Sequence, residues 1–247
     1  MRLVKFASAS FLSLKGAYSG TTIGVLWQPI SVSFVVLFLF LVFSSSEGKA
    51  TDYLLYLCAG YWIWQWFSML LGDGADQFRT QRVHLERPSW SLVDFFVWCT
   101  VDRLTRHFIA TFFLSLVLVI VGGLPAIGFM LLSYLLILVV DVLVSFLLSS
   151  VTLVFKDFRF ALGLMNRVLF FVTPIFWGYN ANPTPGSFRA IATEWSPIAN
   201  FITGFRYALG VTSLSPSWLV ISGWLVFLCV AVCCILMLAP RDWRNYQ

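Results

Sequence analysis

Six long apolar runs separated by short loops limit what this chain can fold into more than any other feature. They cover roughly 23–43, 53–71, 95–121, 126–154, 158–177 and 218–238. Each is near or above the ~20 residues that a helix needs to cross about 30 Å of hydrocarbon. Inside a bilayer the backbone must satisfy its own hydrogen bonds, which leaves helices and closed barrels. The runs are continuous rather than alternating, so they predict helices. The expected fold is an all-α integral membrane protein with six transmembrane helices.

Charge distribution refines this picture. The chain is 60% hydrophobic and 11% charged, less than half the charged share of an average soluble domain. The spans use nearly all of its 247 residues. A single domain, 1–247, is expected, with no room for a separate soluble catalytic unit. The net charge of +5 is a matter of sidedness and not a nucleic-acid signal. With both termini cytoplasmic, the inner segments hold Arg2, Lys5, Lys15, Arg79, Arg82, Arg87, Lys156, Arg159, Arg241 and Arg244, and the outer ones only Lys49, Arg189 and Arg206. That asymmetry and the even span count predict inside termini. The five cysteines all lie in apolar runs and read as small buried or lipid-facing side chains.

Three segments outside the runs carry pattern. Within 1–22, Leu3, Phe6, Ala7, Phe11 and Leu14 recur at helical spacing. They predict an amphipathic helix in the cytoplasmic interface, and Gly20 and Gly24 suit the bend into the first span. The stretch 76–90 is the most charged of the chain, with Pro88 placed to end a helix within it. It reads as solvated filler or as a short docking helix for a cytoplasmic partner. The outer connection 179–217 holds two helix-compatible apolar patterns split by Ser196-Pro197. It reads as a re-entrant pair of short helices between spans five and six.

Several chemistries lack their residues. No phosphate-binding G-x-x-x-x-G-K-[ST] loop exists. His84 and His107 are the only histidines and have no zinc-like spacing to cysteine or acid. No Ser/His/Asp arrangement suggests itself, so no catalytic residue and no metal are expected.

The residues that remain resemble one family in order along the chain. Leu14-Lys15-Gly16-Ala17-Tyr18-Ser19-Gly20-Thr21-Thr22-Ile23-Gly24-Val25-Leu26-Trp27 is similar to the opening signature of type 2 ABC exporter permeases. Tyr56-Leu57-Cys58-Ala59-Gly60-Tyr61-Trp62-Ile63-Trp64 resembles their "Y-L-x-x-G-L-x-x-W", and Gly72-Asp73-Gly74-Ala75 their "x-E-G-x". Val154-Phe155-Lys156-Asp157-Phe158-Arg159 looks like "R-Y-R-D", Thr173-Pro174-Ile175 like "S-P-I", and Ser196-Pro197 stands where "N-P" is usual, with Arg206 after it. Ala17, Lys156 and Ser196 depart from the pattern.

The most similar subgroup exports O-antigen and related polysaccharides. The resemblance implies a homodimer in the bacterial inner membrane, bound to two copies of a separate ATPase that holds ATP and Mg. It implies a lipid-linked glycan as cargo, and no cofactor in this chain. Arg79, Arg82, His84, Glu86 and Arg87 would then receive ATPase motion. Pro174, Pro197 and Arg206 would belong to an outer gate.

Charges and rings within the runs complete the candidates. Arg103, Arg106 and His107 share one helix face, at i, i+3 and i+4. Intramembrane charges normally face a cavity or a partner. With Lys15, Tyr18 and Arg167, Arg103 and Arg106 are candidates for receiving the lipid pyrophosphate. The other reading pairs Arg106 with Asp102 and lets Arg103 reach the interface. Arg167 needs either a ligand or a partner such as Asp141. Tyr61, Trp62, Trp66, Phe171 and Trp177 are candidates for stacking sugar rings, or else belong to the interfacial belt. Export of teichoic acid or another amphiphile, and an ion-coupled carrier relaying protons at Asp141, are the alternatives.

Overall fold

The computed structural model describes residues 2–44, 49–85, 91–178 and 186–238, and among them every regular element is helical. The order begins with α1 (Arg2–Ala17), a 3-10 turn at Gly24–Leu26, and α2 (Trp27–Phe43). Gly24 takes a positive φ of 63° at that corner, where a side chain would be strained. Pro29 sits in the first turn of α2, where a missing N–H breaks no ladder. Next comes α3 (Ala50–Met69), which runs into a π turn at Leu70–Gly74. Two single-turn helices follow, α4 (Gln77–Thr80) and α5 (Arg82–Leu85).

The second half holds α6 (Leu92–Ala110), α7 (Phe112–Gly122), α8 (Leu124–Val154), α9 (Phe158–Val172), α10 (Phe188–Trp195), α11 (Pro197–Ala208) and α12 (Trp218–Leu238). A capping box of Ser91 and Asp94 starts α6. Ser196 caps α11 by accepting from the Ala199 N–H, and Pro197 fills its first position. The helix pair α10–α11 therefore breaks at Ser196-Pro197, where the sequence places it. Residues 179–185 of that segment lie outside the described residues.

Among the described residues three helices are long and apolar enough to cross a membrane: Gly24–Phe43, Ala50–Gly74 and Leu124–Val154. A fourth exists if α6 and α7 count as one span, but they meet at 63°. The run 95–121 is thus not the straight helix that its apolarity predicts. Thr111 is the cause. Its Oγ1 and its N–H both bond the His107 carbonyl, at 2.8 and 2.9 Å, and its backbone lies at φ −96°, ψ 12°. Back-bonding of this kind bends helices. The run 158–177 is also cut short. Pro174 excludes the helical region for Thr173, whose ψ is 139°, so α9 stops at Val172 after 15 residues.

At the centre of the assembly is α3. Its span window is 67% buried, against 22% for those containing α2 and α8. It packs on α2, α7 and α11, and Tyr53, Leu57, Trp62, Ile63, Trp66 and Leu70 are fully enclosed. Lipid tails are as apolar as leucine, so such burial gains close packing and interhelical hydrogen bonds rather than escape from water. Trp62 shows both. Its ring stacks on Phe205 with centroids 5.2 Å apart, and its Nε1 donates to Ser115 at 3.0 Å.

The N-terminal helix α1 packs along α6. Its buried seam is Ser10 and Leu14, with the Phe6 ring edge-on to Trp98 at 5.5 Å. Phe11, expected on the apolar face, is 47% exposed instead. The seam turns this way because Ser10 bonds Asp102 on α6 at 2.5 Å.

Candidate functional site

One side of α6 carries Thr100, Arg103 and His107, and all three are buried. The Arg103 guanidinium meets Asp141 of α8 bidentately, Nε to Oδ1 at 2.9 Å and Nη2 to Oδ2 at 2.8 Å. Its Nη1 donates to Oε1 of Gln77 at 3.1 Å. Asp141 also accepts from the Thr100 hydroxyl at 2.9 Å and the Trp66 indole at 3.3 Å. Gln77 in turn donates to Ser149 at 3.4 Å. Arg103 and Asp141 are 3% and 0% exposed. A charge pair taken out of water persists only when its remaining donors and acceptors are matched. Here four donors converge on the carboxylate.

A second layer extends the cluster toward α1. Arg106 bonds Asp102 at 2.5 Å and Asp73 of the π turn at 3.3 Å. Asp102 completes its shell with Ser10. His107 continues the same face upward. Its Nε2 faces the Trp62 carbonyl at 2.9 Å, and a carbonyl only accepts, so Nε2 carries the proton. Nδ1 then accepts from the Tyr134 hydroxyl at 3.1 Å. The network therefore joins α1, the π turn, α4, α6 and α8.

This geometry corrects several expectations from sequence. Asp141 pairs with Arg103 and not with Arg167. Arg103 is sealed and neutralised by Asp141, so it is not open to a pyrophosphate. Arg106 pairs with Asp102, the second of its two readings, and its charge is balanced by two carboxylates. Arg167 is exposed on α9 and has no ion pair among the described residues. Its neighbour Asn166 points inward and donates to Ser68 at 2.8 Å. Lys15 is exposed, while Tyr18 lines a cavity beside α2. These five do not form one site.

The aromatic candidates separate in the same way. Trp62 and Trp66 are 0% exposed, so neither offers a face to a sugar. Tyr61 is enclosed with its ring edge-on to Phe170 at 6.3 Å. Phe171 is exposed, and Trp177 is partly so, with its Nε1 donating to the Phe171 carbonyl at 3.1 Å.

At the opposite end of α3 the chain builds an arginine clamp. Arg206 of α11 is 2% exposed. It donates through Nε to the Tyr56 carbonyl at 3.1 Å, Nη1 to Pro174 at 2.5 Å and Nη2 to Ile175 at 2.7 Å. Its guanidinium lies 3.3 Å over the Tyr56 ring, where the ring quadrupole favours a cation. Gly60 makes the seat: a β-carbon there would lie 2.1 Å from Nη2. Tyr53 and Tyr56 add hydroxyl bonds to the Phe176 and Trp177 carbonyls at 2.8 and 2.9 Å. The turn after α9 and helix α11 are thus both fastened to α3. Pro174 is buried in this clamp, and Pro197 is half-buried at the start of α11. The sequence singles out Arg206 and marks its carbonyl partners only indirectly. The clue was Pro174, which ends the helical ladder and frees carbonyls for an outside donor.

The charged stretch 76–90 is anchored at its start. Gln77 is 1% exposed, and Asp76 faces Arg159 at 3.5 Å and Arg79 at 3.9 Å. Arg82 is exposed, and the His84 ring lies 4.8 Å from Trp98. Glu86 and Arg87 lie outside the described residues. Among the described residues no three His, Cys, Asp or Glu side chains gather as a metal site. No protein-family model matches the chain, and no curated protein matches it.

Proposed function

We propose that the chain is the transmembrane subunit of an ATP-driven type 2 ABC exporter. Its cargo in this reading is a lipid-linked polysaccharide, O-antigen or a similar cell-surface glycan, carried from the cytoplasmic face across the bacterial inner membrane. Two copies form the path, and two copies of a separate ATPase supply ATP and Mg. The six spans are α2, α3, the bent α6–α7, α8, α9 with its following turn, and α12, with both termini inside.

The observation that carries this reading is the anchoring of the charged stretch 76–90. Its first helix inserts Gln77 between Arg103 and Ser149. A force applied to Arg79 or Arg82 at the surface therefore reaches α6 and α8 through polar contacts, whose geometry changes in discrete steps. The family resemblance supports the same assignment. The carrier alternative is disfavoured, because a relay carboxylate needs exchange with water and Asp141 is sealed by four donors.

Two tests follow from these placements. Tagged chain purified from its own membranes should bring down an ATPase. Arg79→Ala with Arg82→Ala should lower that recovery at least about fivefold without lowering membrane abundance. Recovery equal to the parent would leave the stretch as solvated filler. Arg167→Gln should leave abundance unchanged, since no ion pair among the described residues is lost. Surface glycan should fall about tenfold if Arg167 meets the anionic headgroup. Unchanged glycan would remove Arg167 from the path.

A further inference from the structure

Between the start of α2 and the end of α3 lies an open cavity of about 350 Å³. It is at the small end of the range for ligand pockets. Tyr18, Trp27, Gln28, Ser31, Gln65 and Met69 line it, over an apolar floor. The lining holds no acidic or basic residue, so a phosphate, carboxylate or ammonium would find no countercharge. Yet the lining is rich in neutral polar groups for a site in a chain of apolar helices. Among the described residues the side chains of Tyr18, Trp27, Gln28 and Gln65 make no hydrogen bond to one another or to a neighbour. Gln28 Oε1 is enclosed and unpartnered. Ser31 Oγ spends its proton on the Trp27 carbonyl at 2.7 Å and keeps only acceptor capacity.

We propose that this groove recognises a neutral glycosyl headgroup, with the ring seated on Trp27 and its hydroxyls bonded by Gln28 and Gln65. The chemistry matches on three counts. A carboxamide offers a donor and an acceptor side by side, as neighbouring sugar hydroxyls do. The apolar C–H face of a pyranose packs on a flat indole, which is 43% exposed here. An incoming hydroxyl also supplies the donor that Gln28 Oε1 lacks. The inference rests on the exporter reading and adds to it. It places sugar recognition beside Tyr18, on residues separate from the sealed Trp62 and Trp66.

The test uses the full chain in phosphatidylglycerol nanodiscs. The probe is an octyl glucoside bearing a diazirine next to the glycosidic carbon, compared with the matched octyl phosphocholine. The glucoside should label peptides 27–32 and 65–69, and the phosphocholine should not. Gln28→Leu with Gln65→Leu should cut that labelling about tenfold, while labelling elsewhere stays constant and reports intact folding. Trp27→Leu removes the stacking face with both amides in place, and should do the same. Equal labelling by both probes would make the groove a lipid-tail site and overturn the proposal. So would unchanged labelling in the variants. ATPase recovery is scored on the same preparation. Labelling without an ATPase sinks the exporter reading alone, and an ATPase without labelling sinks the groove alone.

Discussion

Asp141→Asn is expected to destabilise the protein by about 3–5 kcal/mol, because it leaves the buried Arg103 guanidinium without its countercharge. Arg103→Met should cost a comparable amount, since Thr100 and Trp66 alone cannot balance a carboxylate at 0% exposure. Either change should sharply lower the yield of monodisperse protein in detergent. The double variant Arg103→Met with Asp141→Leu removes both charges and fills their volume, and most of the yield should return. Function should not return with it. The double variant also removes the Gln77 bond to α6 and leaves only its bond to Ser149 on α8, so the polar link between the charged stretch and α6 is lost. In the exporter reading proposed above, ATP hydrolysis by the partner should then continue without export. A double variant as poorly folded as the singles would show that packing, rather than paired charge, governs the site. Export at the parental rate would remove the network from the coupling route.

Gly60→Ala should be nearly as damaging as loss of Arg206 itself. The new methyl would lie 2.1 Å from Nη2 and 3.2 Å from the Ile175 carbonyl. A guanidinium that is held by three carbonyls and covered by protein has nowhere to go. Its displacement leaves those carbonyls unpaired, at about 1–3 kcal/mol for each buried group. The temperature at which half the protein stays monodisperse should fall by about 5–10 °C. Arg206→Met should produce the same fall. Combining the two should add almost nothing, because both remove one clamp. An additive double variant would mean that Gly60 and Arg206 act separately and that the seat is misassigned.

Local signals in the sequence were readable and non-local ones were not. The break between α10 and α11 is written in two adjacent residues, a serine cap and a proline at the first helical position. The end of α9 is likewise written in Thr173-Pro174. The 63° break at Thr111 has no such mark, because a threonine inside an apolar run does not by itself announce that it back-bonds the carbonyl four residues before it. The polar residues stood out from their apolar surroundings, yet their pairing depended on how each helix is rotated. Asn166 and Arg167 show how little rotation decides. Successive residues on a helix point about 100° apart. That turn sends Asn166 to Ser68 and Arg167 to the surface. Asp141 and Arg167 are both deep in their runs, so depth alone made them plausible partners. The third dimension gave Asp141 to Arg103.

The central position of α3 carries a consequence for biogenesis. Its mean hydropathy is 1.2, against 2.3 and 2.7 for the spans containing α2 and α8. During synthesis it leaves the ribosome with tyrosine hydroxyls and indole N–H groups that hydrocarbon cannot satisfy. Their partners are Ser115, Asp141 and the carbonyls of Phe176 and Trp177, all encoded downstream. The least lipid-compatible of these helices must therefore wait near the insertion machinery, or lean on α2, until synthesis has passed Trp177. Maturation of this protein is then a wrapping of late segments around an early one, and a nascent chain halted before the turn that follows α9 would expose the very helix that organises the finished fold.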